Sequence, residues 1–419
     1  MHPTARPVDK RIIPPSAVGV IARQDGEAHV ERRAGQLARV GSAFERCFDR
    51  SPRFATCAPG RVNLIGEHTD YSEGFVLPIA MQREVVIVAD QADADVSTLL
   101  AVDLEERATV DFTMPLSPVD EPRWVNYPLG VVSQFVQRGT PVPNLDLALV
   151  SDVPIGAGLS SSAAVEVATA TLLERVVDVA LDPVEKALLC QRAEHSFPGT
   201  PCGIMDMFIA TMAEPDHALL IDCRSNSARA VPMPPSSEAV ILVINTGVKH
   251  DLASSEYAER RATCQRVSNR LGIRALRDAT AEALERAELT QREHQRASHV
   301  VLENKRTLEA AARLERGDIA GFGELMFQSH ESLRYLYEVS CPELDLIVDT
   351  ARSMRGPAGV LGARMTGGGF GGCAIVLCRS DTATAVGDRL RAAFHAAFHR
   401  DPTIFATGAA SGTRTLDPV

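Results

Sequence analysis

Residues 145–181 constrain the fold of this 419-residue chain more than any other stretch. Leu145, Leu147 and Leu149 alternate with Asp146, Ala148 and Val150, the period of a strand. The strand runs straight into VPIGAGLSSSAA at 153–164, and then into the nearly all-apolar VEVATATLLERVVDVAL. The polar positions Glu166, Thr169, Glu174 and Asp178 of that run fall on one narrow stripe at helical spacing, as on a helix that is largely buried. Asp182-Pro183 ends it, and residues 182–196 read as the next helix. The loop between strand and helix suits an anion. Gly156 and Gly158 let the backbone curl, and the free N–H groups of the first helical turn point outward from it. Ser160, Ser161 and Ser162 add hydroxyls, one of which can ligate Mg²⁺. The loop is no Walker A sequence and holds no lysine, so a bound metal carries more of the neutralisation. The plainer alternative is a serine N-cap after a glycine turn.

A second stretch, APGRVNLIGEHTDYSEGFVLP at 58–78, reads as too polar for a core strand. It is also too ordered in its punctuation, at Gly60, Gly66 and Gly74, for a linker. Between these glycines stand Arg61, Asn63, Glu67, His68, Asp70 and Tyr71. Such a cluster can bind a polyhydroxylated ligand, hold a metal, or form a solvated turn. A metal would want further His or Cys at ligand spacing, and none stands nearby. His250, His299 and His330 are isolated and read as structural. A hydroxyl-rich ligand fits better, because carboxylates accept from OH groups and imidazole can accept or donate.

Further along, GGGFGG at 367–372 puts backbone against a ligand or against other backbone. Asp206, among apolar Ile204, Met205 and Met207, is either a general base or a helix cap. Glu194 reads by itself as a solvated helix carboxylate, and Tyr257 as a core aromatic. Helical patterns cover 31–49, much of 254–316, 322–337, 343–354 and 383–398; strand patterns cover 85–89, 218–223, 239–244 and 373–378. The net charge of −11 speaks against a nucleic-acid partner. Nine scattered cysteines without a CxxC pair suggest reduced, buried thiols. No apolar run is long enough for a membrane helix, and residues 1–15 have no signal-peptide pattern, so the expected location is cytoplasmic. The expected division is an irregular arm at 1–30, one domain at 31–210 and a second at 211–419.

Three separated motifs fit one family. GRVNLIGEHTDY at 60–71 resembles the galactokinase signature. PIGAGLSSSAA at 154–164 and MTGGGFGG at 365–372 resemble the second and third motifs of the GHMP kinases. Segments 193–206, 247–261 and 329–345 are also similar to galactokinase segments. The resemblance implies an α+β fold of two domains with the active site between them. It implies that Gly156, Ala157, Gly158, Leu159, Ser160, Ser161 and Ser162 cradle the phosphates of ATP, with Trp124 near the adenine. Ser162 and Glu194 would hold Mg²⁺, the expected cofactor. Glu67, His68, Asp70, Gly203 and Tyr257 would contact galactose. Asp206 would take the proton of the C1 hydroxyl, and Arg61 would pair with Asp206 and stabilise the transferring phosphoryl group. Met207 stands where the family usually has glutamine, and Tyr335-Leu336 replaces a more polar pair. The implied activity is ATP-dependent formation of α-galactose 1-phosphate, with no protein partner. Alternatives are a kinase for a related sugar such as N-acetylgalactosamine, and a non-catalytic galactose and ATP sensor.

Overall fold

The computed structural model describes residues 25–248 and 253–418, so most of the expected arm, and His250, lie outside it. Among the described residues the strands form three sheets. The largest runs, edge to edge, Arg414–Leu416, Phe54–Asn63, Pro78–Gln91, Leu145–Ser151, Ser97–Ala101 and Glu106–Val110. Its last strand pair and its first strand had no clear sequence signal. The strand Arg414–Leu416 brings the end of the described chain back to the first long strand, Ala55 facing Leu416.

Alternation along Pro78–Gln91 decides what lies on each face. Val86 and Val88 join Ala55, Cys57, Ala148 and Val150 under Val40 and Phe44 of the helix Asp25–Phe48. Val85, Ile87 and Ala89 point the other way, into the main core with the helix Ser161–Val176. Each fully buried aliphatic or Phe side chain contributes about 1.5–3 kcal/mol relative to exposure. The sheet is covered on both faces, which is why its inner strands read as continuous apolar runs.

A four-stranded sheet, Val360–Thr366, Cys373–Arg379, Ala239–Asn245 and Thr403–Thr407, is the wall between two cores. Ile241, Val243, Ile375 and Leu377 face the main core. Val240, Leu242, Ile244, Ala374 and Val376 face a second core closed by the helices Pro342–Ser353 and Ala383–Phe398. The third sheet is Phe75–Val76, His217–Asp222 and Ser227–Pro232, and its first strand lies inside the stretch 58–78.

The reading of 58–78 as too polar for a core strand is overturned at its start. Residues 58–63 complete the buried strand Phe54–Asn63. Polarity is tolerated there because every polar end finds a partner, as for Asn63, whose Oδ1 accepts from Leu77 N–H at 3.2 Å. The buried helix also stops earlier than its apolar run, at Val176. Asp182 then caps the helix Pro183–Ser196 by accepting from Val184 and Glu185 N–H.

Candidate active site

Arg61 sits near the end of the strand Phe54–Asn63, just past a register shift against Pro78–Gln91. Such irregularities re-aim side chains. Its own N–H donates to the Leu159 carbonyl at 3.0 Å, which fastens the strand to the first glycine loop. Gly60 makes the approach possible, since a Cβ there would lie 2.7 Å from the Leu159 oxygen. The guanidinium clasps Asp206, with Nε to Oδ1 at 2.7 Å and Nη2 to Oδ2 at 2.9 Å, while Nη1 donates to the Gly158 carbonyl at 2.5 Å.

Asp206 lies in the first turn of the helix Met205–Met212. Its Oδ2 also accepts from Ser160 Oγ. Ser160 stands at the N-cap of Ser161–Val176 but makes no capping bond, and its φ of 61° is left-handed. A non-glycine residue in that region carries strain, and such strain gathers at functional sites. The plain capping alternative therefore does not describe Ser160: its hydroxyl serves Asp206 instead.

Glu67, His68, Asp70, Gly203 and Tyr257 line one cavity of about 360 Å³ together with Arg61 and Asp206. The structure thus gathers both proposed reaction residues and all five proposed sugar contacts. Gly203 has to be glycine because a Cβ would lie 1.9 Å from Asp70 Oδ2. Burial pushes the Asp70 carboxyl up to about 6. Glu67, only 3% exposed, is held on all sides. It accepts from Asn63 Nδ2, from Arg364 Nη1 at 3.0 Å, from Thr366 Oγ1 at 3.2 Å and from Gly367 N–H at 2.6 Å. Burial raises its pKa and Arg364 pulls it back. His68 uses both ring nitrogens inside the protein, towards Tyr71 and the Gly368 carbonyl. His299, read as structural, bridges Ser332 and the Glu67 carbonyl.

The second glycine loop forms one wall of this first cavity, through Gly367, Gly368, Gly369 and Phe370. Gly368 and Gly369 also line an adjoining cavity of about 250 Å³ with Gly156, Ala157 and Gly158. A third cavity, about 190 Å³, lies beyond Ser161 and Ser162. Trp124 lines it, with Tyr127, Leu104 and Ile155. Leu159, the remaining residue of the first loop, is buried in the main core.

Glu194 is buried near the end of Pro183–Ser196, not solvated as its surroundings in sequence suggest. Its pKa rises to about 7, first through burial and then through repulsion from Asp206, while Cys202 and Ser162 beside the carboxylate pull it back. A buried carboxylate beside a serine hydroxyl is the hard oxygen donor set that Mg²⁺ takes alongside phosphates and water. Among the described residues no group of three or more His, Cys, Asp or Glu is arranged to hold a metal alone. Met207 is fully buried in the main core, and Tyr335 is exposed.

Sequence reasoning missed Arg364, Thr366 and Ser160 as partners of the two key carboxylates, and Tyr127, Leu104 and Ile155 as cavity walls. Arg364 lies 297 residues from Glu67, in a strand without local punctuation. Ser160 and Ile155 stood inside the motif at 153–164, and Thr366 inside the one at 365–372.

Comparison with known proteins agrees with this geometry. Residues 42–91 match the galactokinase galactose-binding signature, 126–214 the GHMP kinases N terminal domain and 308–396 the GHMP kinases C terminal domain. The chain is 44% identical to a galactokinase of Bos taurus over 398 residues, covering 93% of this chain and 99% of that one. The chain belongs to the galactokinase family. A galactokinase of Homo sapiens is 47% identical over 83% of this chain and 89% of its own. Galactokinase of Lactococcus lactis, solved in complex with galactose, superposes with a TM-score of 0.85 at 29% identity, covering 91% of this chain and all of that one. A mevalonate kinase with TM-score 0.62 and 20% identity shares the fold. As in other members of the GHMP kinase group, helices and sheets are mixed. No helix among the described residues is long and apolar enough to cross a membrane.

Proposed function

We propose that this galactokinase-family enzyme transfers the γ-phosphoryl group of ATP to the C1 hydroxyl of α-D-galactose, giving α-D-galactose 1-phosphate and ADP. The observation that carries the reading is the position of the Arg61–Asp206 pair. It faces a cavity walled by the sugar signature and touches the first glycine loop through Gly158 and Ser160.

Phosphoryl transfer depends mainly on positioning and charge stabilisation. An ionised carboxylate offers about four lone-pair sites. On Asp206, Arg61 and Ser160 take three of them, two of which are on Oδ2. The remaining site is on Oδ1, and that is where the C1 hydroxyl donates its proton. Arg61 balances the charge there and at the incoming phosphoryl group. Asp70 and Tyr257 supply polar groups to the ring hydroxyls, and Glu67 and His68 form the wall behind them. A buried hydrogen-bonding wall penalises an epimer that leaves one group unpaired. The glycine loops cradle the phosphates, and the pocket of Trp124 and Tyr127 takes the adenine. Ser162 and Glu194 hold Mg²⁺, which when bound neutralises phosphate charge.

A coupled ADP-release assay with galactose, glucose, N-acetylgalactosamine and arabinose tests the reading. Galactose is expected to have the highest kcat/KM. No turnover of galactose with Mg-ATP would overturn it, and a higher kcat/KM for N-acetylgalactosamine would reassign the substrate.

A further inference from the structure

Aromatic rings crowd the wall of the sugar-side cavity. The His68 ring centroid lies 4.8 Å from that of Tyr337 and 5.5 Å from that of Tyr257. A hydrogen-bond chain runs through this cluster, and its direction follows from donor chemistry. The Gly368 carbonyl can only accept, so His68 Nε2, 3.1 Å away, carries the hydrogen. Burial holds His68 neutral, with a pKa down to about 3, so Nδ1 is bare and accepts from the Tyr71 hydroxyl at 2.9 Å. The Tyr71 oxygen then accepts from the Tyr337 hydroxyl at 2.6 Å. The Tyr337 oxygen accepts from the Cys264 thiol at 3.2 Å.

The two tyrosines come from distant parts of the chain, 266 residues apart. Tyr71 belongs to the sugar signature. Tyr337 closes a π-helical turn, Leu333–Tyr337, a rare geometry found often at functional sites. The residues after that turn hold the second glycine loop again, because Phe370 N–H donates to the Val339 carbonyl at 2.7 Å. Arg260 braces the arrangement. It donates to the carbonyls of Tyr337 and Glu338 at 3.1 and 2.8 Å and lies over the Phe370 ring. The loop is therefore pinned at Gly368 from the sugar side and at Phe370 from the π-turn. Gly368 and Gly369 line both the sugar-side cavity and the cavity between the glycine loops.

We propose that Tyr71 and Tyr337 are positioning residues that fix the His68 tautomer and, through it, the Gly368 carbonyl, so that the sugar and phosphate sites are coupled through one loop. This rests on the galactose and ATP reading above. In the other tautomer a bare Nε2 would face the Gly368 carbonyl, acceptor against acceptor, and the loop would have to move. Tyr71 prevents this by donating to Nδ1, and Tyr337 orients Tyr71 by donating to it.

Calorimetry on the full chain tests the proposal. Galactose and a non-hydrolysable ATP analogue with Mg²⁺ are titrated separately, and then each in the presence of the other. In the wild type each ligand is expected to tighten the other by about threefold or more. In Tyr71→Phe the galactose Kd should rise about five- to tenfold, in Tyr337→Phe by less, and the nucleotide Kd should stay within about twofold in both. The mutual tightening should fall towards one in both variants. In His68→Gln the amide can still donate to Gly368, and adding Tyr71→Phe to it should cost nothing more, because Tyr71 acts only through the ring. A purely structural role would lower Tm while leaving the galactose Kd and the coupling ratio at wild-type values, and that result overturns the proposal. So do additive losses in the double variant, or a wild type with no coupling. If one tyrosine variant does not fold, the other decides by the same two readings. Failure of galactose or the nucleotide to bind the wild type at all would overturn the proposed function instead.

Discussion

Arg61 grips Asp206 with two parallel bonds, at 2.7 and 2.9 Å, across 145 residues of sequence. The pairing is a fork, which a lysine point charge cannot reproduce. Together with the Ser160 hydroxyl it leaves one acceptor position, on Oδ1, and Asp206 lines the cavity. Asp206→Asn keeps the shape but turns part of that acceptor set into donors. Its kcat is expected to fall by about 10²–10⁴-fold, with galactose affinity by calorimetry changed by about threefold at most. Retained turnover would show that Asp206 does not receive the proton.

Glu67 and Arg364 form a buried ion pair at 3.0 Å. Removing one partner of such a pair leaves a buried charge alone and costs about 3–5 kcal/mol. Arg364→Leu should lower stability by that order in urea unfolding. A loss of less than about 1 kcal/mol would mean that Asn63, Thr366 and Gly367 satisfy Glu67 without help.

Asp70 sets a pH dependence for the sugar. Its carboxyl titrates near 6, so it is ionised above that value and protonated below it. If the ionised form accepts from galactose, affinity weakens as pH falls through about 6. Galactose titrations without nucleotide or metal, at pH 5 to 8 (a range set by the Asp70 pKa), should show this, and Asp70→Asn should flatten it. Equal affinity across the range in the wild type would count against the assignment.

Glu166 is fully buried, and neither carboxylate oxygen has a hydrogen-bond partner. Burial, with repulsion from Glu194 and Asp206, raises its pKa well above 4.5. The folded state therefore binds a proton that the unfolded chain releases near 4.5, and the favourable contribution present below that pH is lost as pH rises towards the folded value. Glu166→Gln mimics the neutral acid without titrating. Thermal unfolding followed across pH should show a shallower decline above pH 5 for the variant, by up to about 1 kcal/mol per pH unit. Parallel curves would show that Glu166 is not protonated in the fold.

Trp124 lines the third cavity, where the proposed function puts the adenine. Trp124→Ala should raise the KM for ATP by about 5- to 100-fold, the range of one lost base stack, and leave the KM for galactose unchanged. A change confined to galactose would move the nucleotide to another cavity.

Much of this molecule was legible in one dimension. The strand, glycine loop and buried helix around residues 145–176 follow from alternation, punctuation and an apolar run. The boundaries of Ala383–Phe398 agree with the pattern at both ends. The residues proposed to carry chemistry were marked by motif, and the fold brings Arg61, Glu67, His68, Asp70, Gly203, Asp206 and Tyr257 to one cavity. Edge strands such as Glu106–Val110 were not legible, because half-exposed polar strands show neither a core run nor a clean alternation.

The partnerships were decided only in three dimensions. Local sequence determines backbone preference and which residues are reactive, since both depend on neighbours along the chain. It does not determine that Ser160 serves Asp206 rather than capping its helix, that Arg364 neutralises Glu67, or that Tyr337 completes the chain to His68. Those contacts join residues 46, 297 and 266 positions apart, the last through Tyr71. They form because burial removes water and leaves each polar group with only the partners that the tertiary structure supplies.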